Sequence, residues 1–226
     1  RSRGLGDVYK RQVLKGALGF TVSGDTTEAS DSGIIVSGGA FDQNIDKGFL
    51  SDGYEMKENG NYWSPSVSEE DGVARIGKIY YPSVELALDA ARNGETVDII
   101  SDGAIISTAY SFTGEAILDL NGKTLRVTDG SLDIDGGSLE ITNGTLEVAK
   151  NHALDLNSGA LTLSGCTLNS IATDSGGIIW IYGSTDPDAE RFSVLKVEDD
   201  AKIQHLGDSS IGYLSLIHIS EPTRPR

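Results

Sequence analysis

The chain is poor in the residues that usually announce chemistry. A single cysteine, Cys166, among 226 residues rules out an intrachain disulfide and reads as a small apolar core residue. There are one methionine, two tryptophans, five prolines and three histidines. His152 and His205 are isolated, without metal-ligand spacing, and read as surface or turn positions. No phosphate-binding loop, dinucleotide fingerprint or activated-nucleophile motif is present. No apolar run reaches 18 residues, so no transmembrane helix is expected. Positive charge is scarce too: 18 Lys and Arg stand against 34 Asp and Glu, a formal net charge of −16. A field of that sign opposes binding to nucleic acid or anionic lipid. It suits a hydrated acidic surface, or one that holds calcium through oxygen ligands.

What the chain does have is glycine, 28 of them, and a leucine ladder. Leucine recurs at 118, 125, 132, 139, 146, 154, 161 and 168. The steps are seven residues, apart from one of eight between 146 and 154. Each of the first seven leucines is followed, one position on, by a second apolar residue: Leu120, Val127, Ile134, Ile141, Val148, Leu156 and Leu163. Turn dipeptides punctuate the triplets, among them Asn121-Gly122, Gly136-Gly137, Asn143-Gly144 and Ser164-Gly165.

A seven-residue period first suggests a coiled coil, which needs helix formers between its apolar positions. Here the intervals hold Gly, Asn, Asp, Ser and Thr, and each glycine inside a helix would cost about 1 kcal/mol. The alternative is a three-residue strand with two side chains in and one out, followed by a tight turn. Three such units make 21 or 22 residues, about one coil of a triangular parallel solenoid. The run Leu132–Leu146 aligns on Leu154–Leu168 at an offset of 22, as stacked repeats require.

The ends fall outside the fold. The string GATGTGTATAAGAGACAG encodes Asp7–Gln12, and its reverse complement encodes Leu214–Ile219; Ser2–Gly6 and Ser220–Arg224 are related in the same way. Residues 1–12 and 214–226 thus look like translated sequencing-adapter DNA and are set aside. They carry six of the 18 basic and two of the 34 acidic residues, which leaves 12 against 32, a net charge of −20. Residues 13–72 read as the tail of a preceding β unit plus a linker at 64–72, with strands at 19–22 and 33–36 and a hairpin around 58–61. Residues 73–213 read as the solenoid module, opening with a hairpin over 74–81. A capping helix near 83–92 follows, with Ser83 as N-cap and Gly94 as the glycine that ends it. Further strands are expected at 177–182, 192–197 and 201–206, with an acidic loop at 183–191.

Three segments carry a family resemblance: Ser37-Gly-Gly-Ala-Phe41 with Asp52-Gly-Tyr-Glu55, the stretch Tyr81–Val97, and Leu118-Asp-Leu-Asn-Gly-Lys-Thr-Leu125. Together they are similar to the tandem right-handed β-helix modules of large secreted or wall-attached proteins of gut anaerobes, within the pectate-lyase-like superfamily. The resemblance covers most of 33–170 and implies an all-β, right-handed parallel β-helix in an extracellular, cell-surface protein. It implies structure more than catalysis.

Stacking at 21 or 22 residues predicts outward neighbours on successive coils: Arg126 beside Glu147, Asp133 beside Asp155, and Asp119 beside Glu140. Asp133 and Asp155 are the candidate calcium ligands or a carboxylate pair. Past Leu168, alternation with Ile179 and Ile181 puts Trp180 and Tyr182 outward, where aromatic rings can stack on sugars or on partner proteins. A lyase would need a basic residue near bound calcium, and Arg126 is already matched with Glu147. No catalytic residue is therefore nominated. The expectation is a structural and adhesive module whose partners are host or bacterial glycans or surface proteins. The rivals are a polysaccharide lyase or glycoside hydrolase, and a ligand-free spacer stalk.

Overall fold

The computed structural model describes residues 13–14, 35–173, 177–181 and 193–206. By compactness the chain divides into two units, Arg1–Ala90 and Ala91–Arg226.

In the first unit, strands β1 (Val13–Leu14), β2 (Ala40–Phe41), β3 (Glu55–Asn59) and β4 (Tyr62–Ser66) form a sheet of order β1-β2-β4-β3. The β3–β4 hairpin turns at Gly60, whose φ of 64° belongs to glycine. Residues 64–66, expected to be linker, lie in β4 and are buried. Their hydroxyls explain why a polar stretch can be internal: Ser64 Oγ donates to the Gly39 carbonyl, while Ser66 Oγ donates to Val67 O and accepts from Tyr80 N. Strands β5 (Ala74–Ile76) and β6 (Ile79–Tyr81) form the expected antiparallel hairpin about Gly77. Helix α1 (Val84–Ala90) begins where Ser83 Oγ accepts from Leu86 N, and it buries Val84, Ala87 and Leu88. It stops two residues short of the expected end.

The second unit is a parallel β-solenoid of about four turns. Its strands are β7 (Glu95–Ile99), β8 (Ile105–Ile106), β9 (Tyr110–Phe112), β10 (Glu115–Asp119), β11 (Thr124–Val127), β12 (Leu132–Thr142), β13 (Thr145–Val148), β14 (Leu154–Ser164), β15 (Thr167–Ser170), β16 (Ile179–Ile181), β17 (Ser193–Glu198) and β18 (Lys202–His205). They build three parallel ladders. One runs β7, β10, the second half of β12, the second half of β14, then β17. Another runs β8, β11, β13, β15, β18. The third runs β9, the first half of β12, the first half of β14, then β16.

The leucine ladder is the inner wall. Leu118, Leu125, Leu132, Leu139, Leu146, Leu154, Leu161 and Leu168, and all seven i+2 partners, are fully buried. Burial of each such side chain contributes about 1.5–3 kcal/mol, so packing alone accounts for the period. Two kinds of corner join the ladders. Between the first and second, Asn121, Asn143 and Gly165 take left-handed backbone at φ 51°, 53° and 59°, one above another. Between the third and first, β12 and β14 bend without a loop, and their mutual register shifts around Asp135. Glycine is obligatory there: a Cβ on Gly137 would lie 2.1 Å from Gly114 O, and one on Gly159 2.2 Å from Gly137 O.

That glycine corner corrects one expected neighbour. Ala116 pairs with Leu139, a step of 23 residues, so Asp119 stands beside Thr142 and Glu140 beside Ile117. The other outward neighbour of Asp119 is Asp98, and Asn121 N and Asn143 Nδ2 donate to its carboxylate at 2.7 and 3.1 Å. The other two expected pairs stand where the period puts them. Arg126 Nε lies 2.8 Å from Glu147 Oε1, and Asp133 is in register with Asp155.

Candidate functional face

The outward positions of the third ladder read Ser111, Asp133, Asp155, Trp180 from coil to coil. Three of the candidate residues, Asp133, Asp155 and Trp180, thereby share one column, with about 4.8 Å between rungs. Asp133 and Asp155 are adjacent, and Trp180 follows on the next coil. The alternation expected around Trp180 holds at its inner neighbour: Ile179 is 4% exposed, Trp180 38%. Tyr182 and the loop 183–191 lie outside the described residues.

Trp180 is held on two sides. Its indole Nε1 donates to Gly177 O at 2.7 Å, which fixes the ring relative to its own strand. The His152 ring stacks on it, with centroids 3.9 Å apart and planes 13° from parallel. His152 sits in the turn before β14 with φ 52°, and its Nδ1 lies 3.4 Å from Asp155 Oδ1. His152 is thus a turn residue, as expected, yet far from isolated: it bridges the carboxylate of one coil and the indole of the next. The sequence hid this because the step from Leu154 to Ile179 is 25 residues, outside the 21–22 period.

Asp133 Oδ1 and Asp155 Oδ1 are both buried atoms with no hydrogen-bond partner. Burial pushes the Asp155 carboxyl above the usual aspartate range, and the Asp133 carboxylate adds to that push. The nearby His152 and Lys150 oppose it. A cation would relieve the pair. The two aspartates nonetheless supply few of the six to eight oxygens calcium takes, and among the described residues no group of three or more His, Cys, Asp or Glu gathers to hold a metal.

Outward residues of the second ladder pair with one another. On the second ladder, Arg126 meets Glu147, and Gln204 Nε2 donates to Asn169 Oδ1 at 2.6 Å. Cys166 is buried, and burial raises its thiol pKa, which makes it a poor nucleophile. His205 is the second histidine to depart from expectation. It takes an inward register position, above Val127, Val148 and Ser170, with Nδ1 3.1 Å from Ser170 Oγ.

No helix among the described residues is long and apolar enough to cross a membrane. No protein-family model matches the chain, and searches of curated proteins and of solved structures likewise found no match. The architecture is a parallel β-solenoid.

Proposed function

We propose that this solenoid is a structural and adhesive module of a secreted or wall-attached bacterial surface protein, of the pectate-lyase-like kind, that binds a glycan on the face carrying Trp180. The observation that carries the reading is Trp180 itself. An indole left 38% exposed at an outward rung, and fixed by Gly177 O and His152, offers a ring ordered before any ligand arrives. Asp155 and Asp133 on the next rungs add acceptors for sugar hydroxyls. Apolar stacking beside a few placed polar groups is how sugar rings are held. The buried leucine wall supplies the other half of the reading, a stiff rod that displays the face.

The test is a glycan array probed with the whole chain, with and without calcium, beside the Trp180→Ala variant. Binding of a defined glycan class without cleavage is expected, and loss of the indole should weaken it up to about tenfold. Binding indifferent to Trp180→Ala would sink the assignment of the face. Shortened acidic polysaccharides would favour the lyase or hydrolase reading, and no binding of any kind would favour the spacer.

A further inference from the structure

Asn-Gly dipeptides stand at 59–60, 93–94, 121–122 and 143–144. Such a pair can rearrange covalently, because glycine has no side chain to keep its nitrogen away from the asparagine. The glycine N–Cγ bond forms, the Cγ–Nδ2 bond breaks, and Nδ2 leaves as ammonia with the glycine's amide proton. Water then opens the succinimide ring, at Cγ to give aspartate or at the main-chain carbonyl to give isoaspartate. The attack needs a glycine N–H that is not already committed to an acceptor. Gly94 N donates to Glu115 O, and Gly122 N donates to Asn143 O. Gly60 N and Gly144 N have no hydrogen-bond partner among the described residues.

Asn121 and Asn143 make the sharpest comparison. They occupy the same corner on successive coils, in left-handed backbone at φ 51° and 53°, and both are exposed. A Cβ on Gly122 would meet nothing within 4 Å, whereas one on Gly144 would lie 2.5 Å from Leu120 Cβ and 2.6 Å from Lys123 O. Packing thus demands the glycine at 144, and the left-handed corner favours asparagine at 143. The fold itself builds in this reactive dipeptide and leaves its amide unbonded. We propose that Asn143 is a self-modification site, deamidating within the folded solenoid while Asn121, one coil earlier, is protected. The product changes the corner. Asn143 Nδ2 donates to Asp119 Oδ2 at 3.1 Å, so an acid at 143 sets carboxylate against carboxylate, with Asp98 on the next rung. Isoaspartate also lengthens the main chain between β12 and β13. Parallel pairing on both sides, Asp119 with Thr142 and Thr124 with Thr145, gives that corner no slack. This site is independent of glycan binding.

Peptide mapping by mass spectrometry tests the proposal, on the whole chain held at mildly alkaline pH, folded and in denaturant. A bonded amide must open before it reacts, so in the folded chain Asn143 should convert about tenfold faster than Asn121 or Asn93. Asn59 should group with Asn143, and in denaturant the differences should vanish. Asn143→Asp reads the consequence: its melting temperature should fall by about 2–4 °C, less at high salt, and Asp119→Asn should restore part of the loss. Folded Asn121 converting as fast as Asn143, or a folded Asn143 that stays intact while the denatured chain converts, would each overturn it. So would a melting temperature of Asn143→Asp that neither salt nor Asp119→Asn moves.

Discussion

The solenoid contains two regions built from the same unit and paired in the same way, yet they behave differently. Between Ala116 and Ser170 successive coils repeat every 21 to 23 residues, and every wall side chain is sealed between the coil below and the coil above. Beyond Ser170 the register steps lengthen to 25, 34 and 35 residues, and the side chains of β17 and β18 over the same columns stand part exposed, while Ile179 stays buried. A regular coil exists to be packed on both sides, which leaves its outward residues to answer one another: Arg126 with Glu147, Asn143 with Asp119. In the irregular coil an indole meets a histidine and a carboxylate of the coil before it. Regularity reports packing, and the loss of regularity brings Trp180 onto His152.

The sharpest way to break this contrast is to remove the same side chain from each region. Leu161 lies between Leu139 and Leu195 in one column and has no exposure. Leu161→Ala should cost about 2–5 kcal/mol, the range for a sealed core leucine whose cavity cannot collapse. Leu195→Ala, on the open coil, should cost well under half as much. Denaturant melts of the two variants check this, and equal losses would erase the distinction between the regions.

A second comparison sets two glycines of the regular coils against each other. Gly159 has φ +97° and no room for a Cβ, which would strike Gly137 O. Gly165 has φ +59°, and its nearest atom would be 3.6 Å from a Cβ. Gly159→Ala should therefore cost about 2–3 kcal/mol through backbone strain. Gly165→Asn should be close to neutral, since asparagine already occupies that corner at 121 and 143. Thermal melts of the two variants, side by side, measure the difference.

The same contrast explains what could be read from the chain and what could not. The wall was legible because burial acts on side-chain identity every second residue, and leucine followed by an apolar residue at i+2 records it directly. The 22-residue alignment likewise placed Asp133 beside Asp155. The Asp119 neighbour went astray because the glycine corner of β12 adds to the path of the coil without adding an apolar mark. His152 could not be matched to Trp180 for a related reason. Their meeting depends on a turn residue in left-handed backbone and a 25-residue step, neither of which leaves a periodic trace.

Surface pairs within the regular region should matter far less than the wall. Arg126 Nε to Glu147 Oε1 is a 2.8 Å contact on the second ladder, with the arginine side chain 52% exposed. A double-mutant cycle on Arg126→Ala and Glu147→Ala should return a coupling of about 0.2–1 kcal/mol, shrinking as salt is added. A coupling of several kcal/mol would mean that the outward residues, and not the wall, hold the coils in register.

The smallest expected effect probes the one place where regular and irregular regions share a rung. Asp155 stands between Asp133 on one coil and Trp180 on the next, and its carboxyl is raised by burial first and by the Asp133 carboxylate second. A carboxyl whose folded pKa is raised binds its proton more tightly in the folded chain. Its stabilising contribution is complete below the unfolded pKa and is lost as pH rises through the folded value. At neutral pH the ionised Asp155 is thus a net burden on the fold. Asp155→Asn should stabilise the chain there, by no more than about 1 kcal/mol because the site is partly hydrated. The advantage should fade as pH falls below the ordinary aspartate range. Asp133→Asn should recover part of the same gain by removing the second cause. Melting temperatures of the three chains from acid to neutral pH decide it: curves that stay parallel would mean that His152 and Lys150 already neutralise the Asp155 charge, and that the rung where the two regions meet is electrostatically at rest.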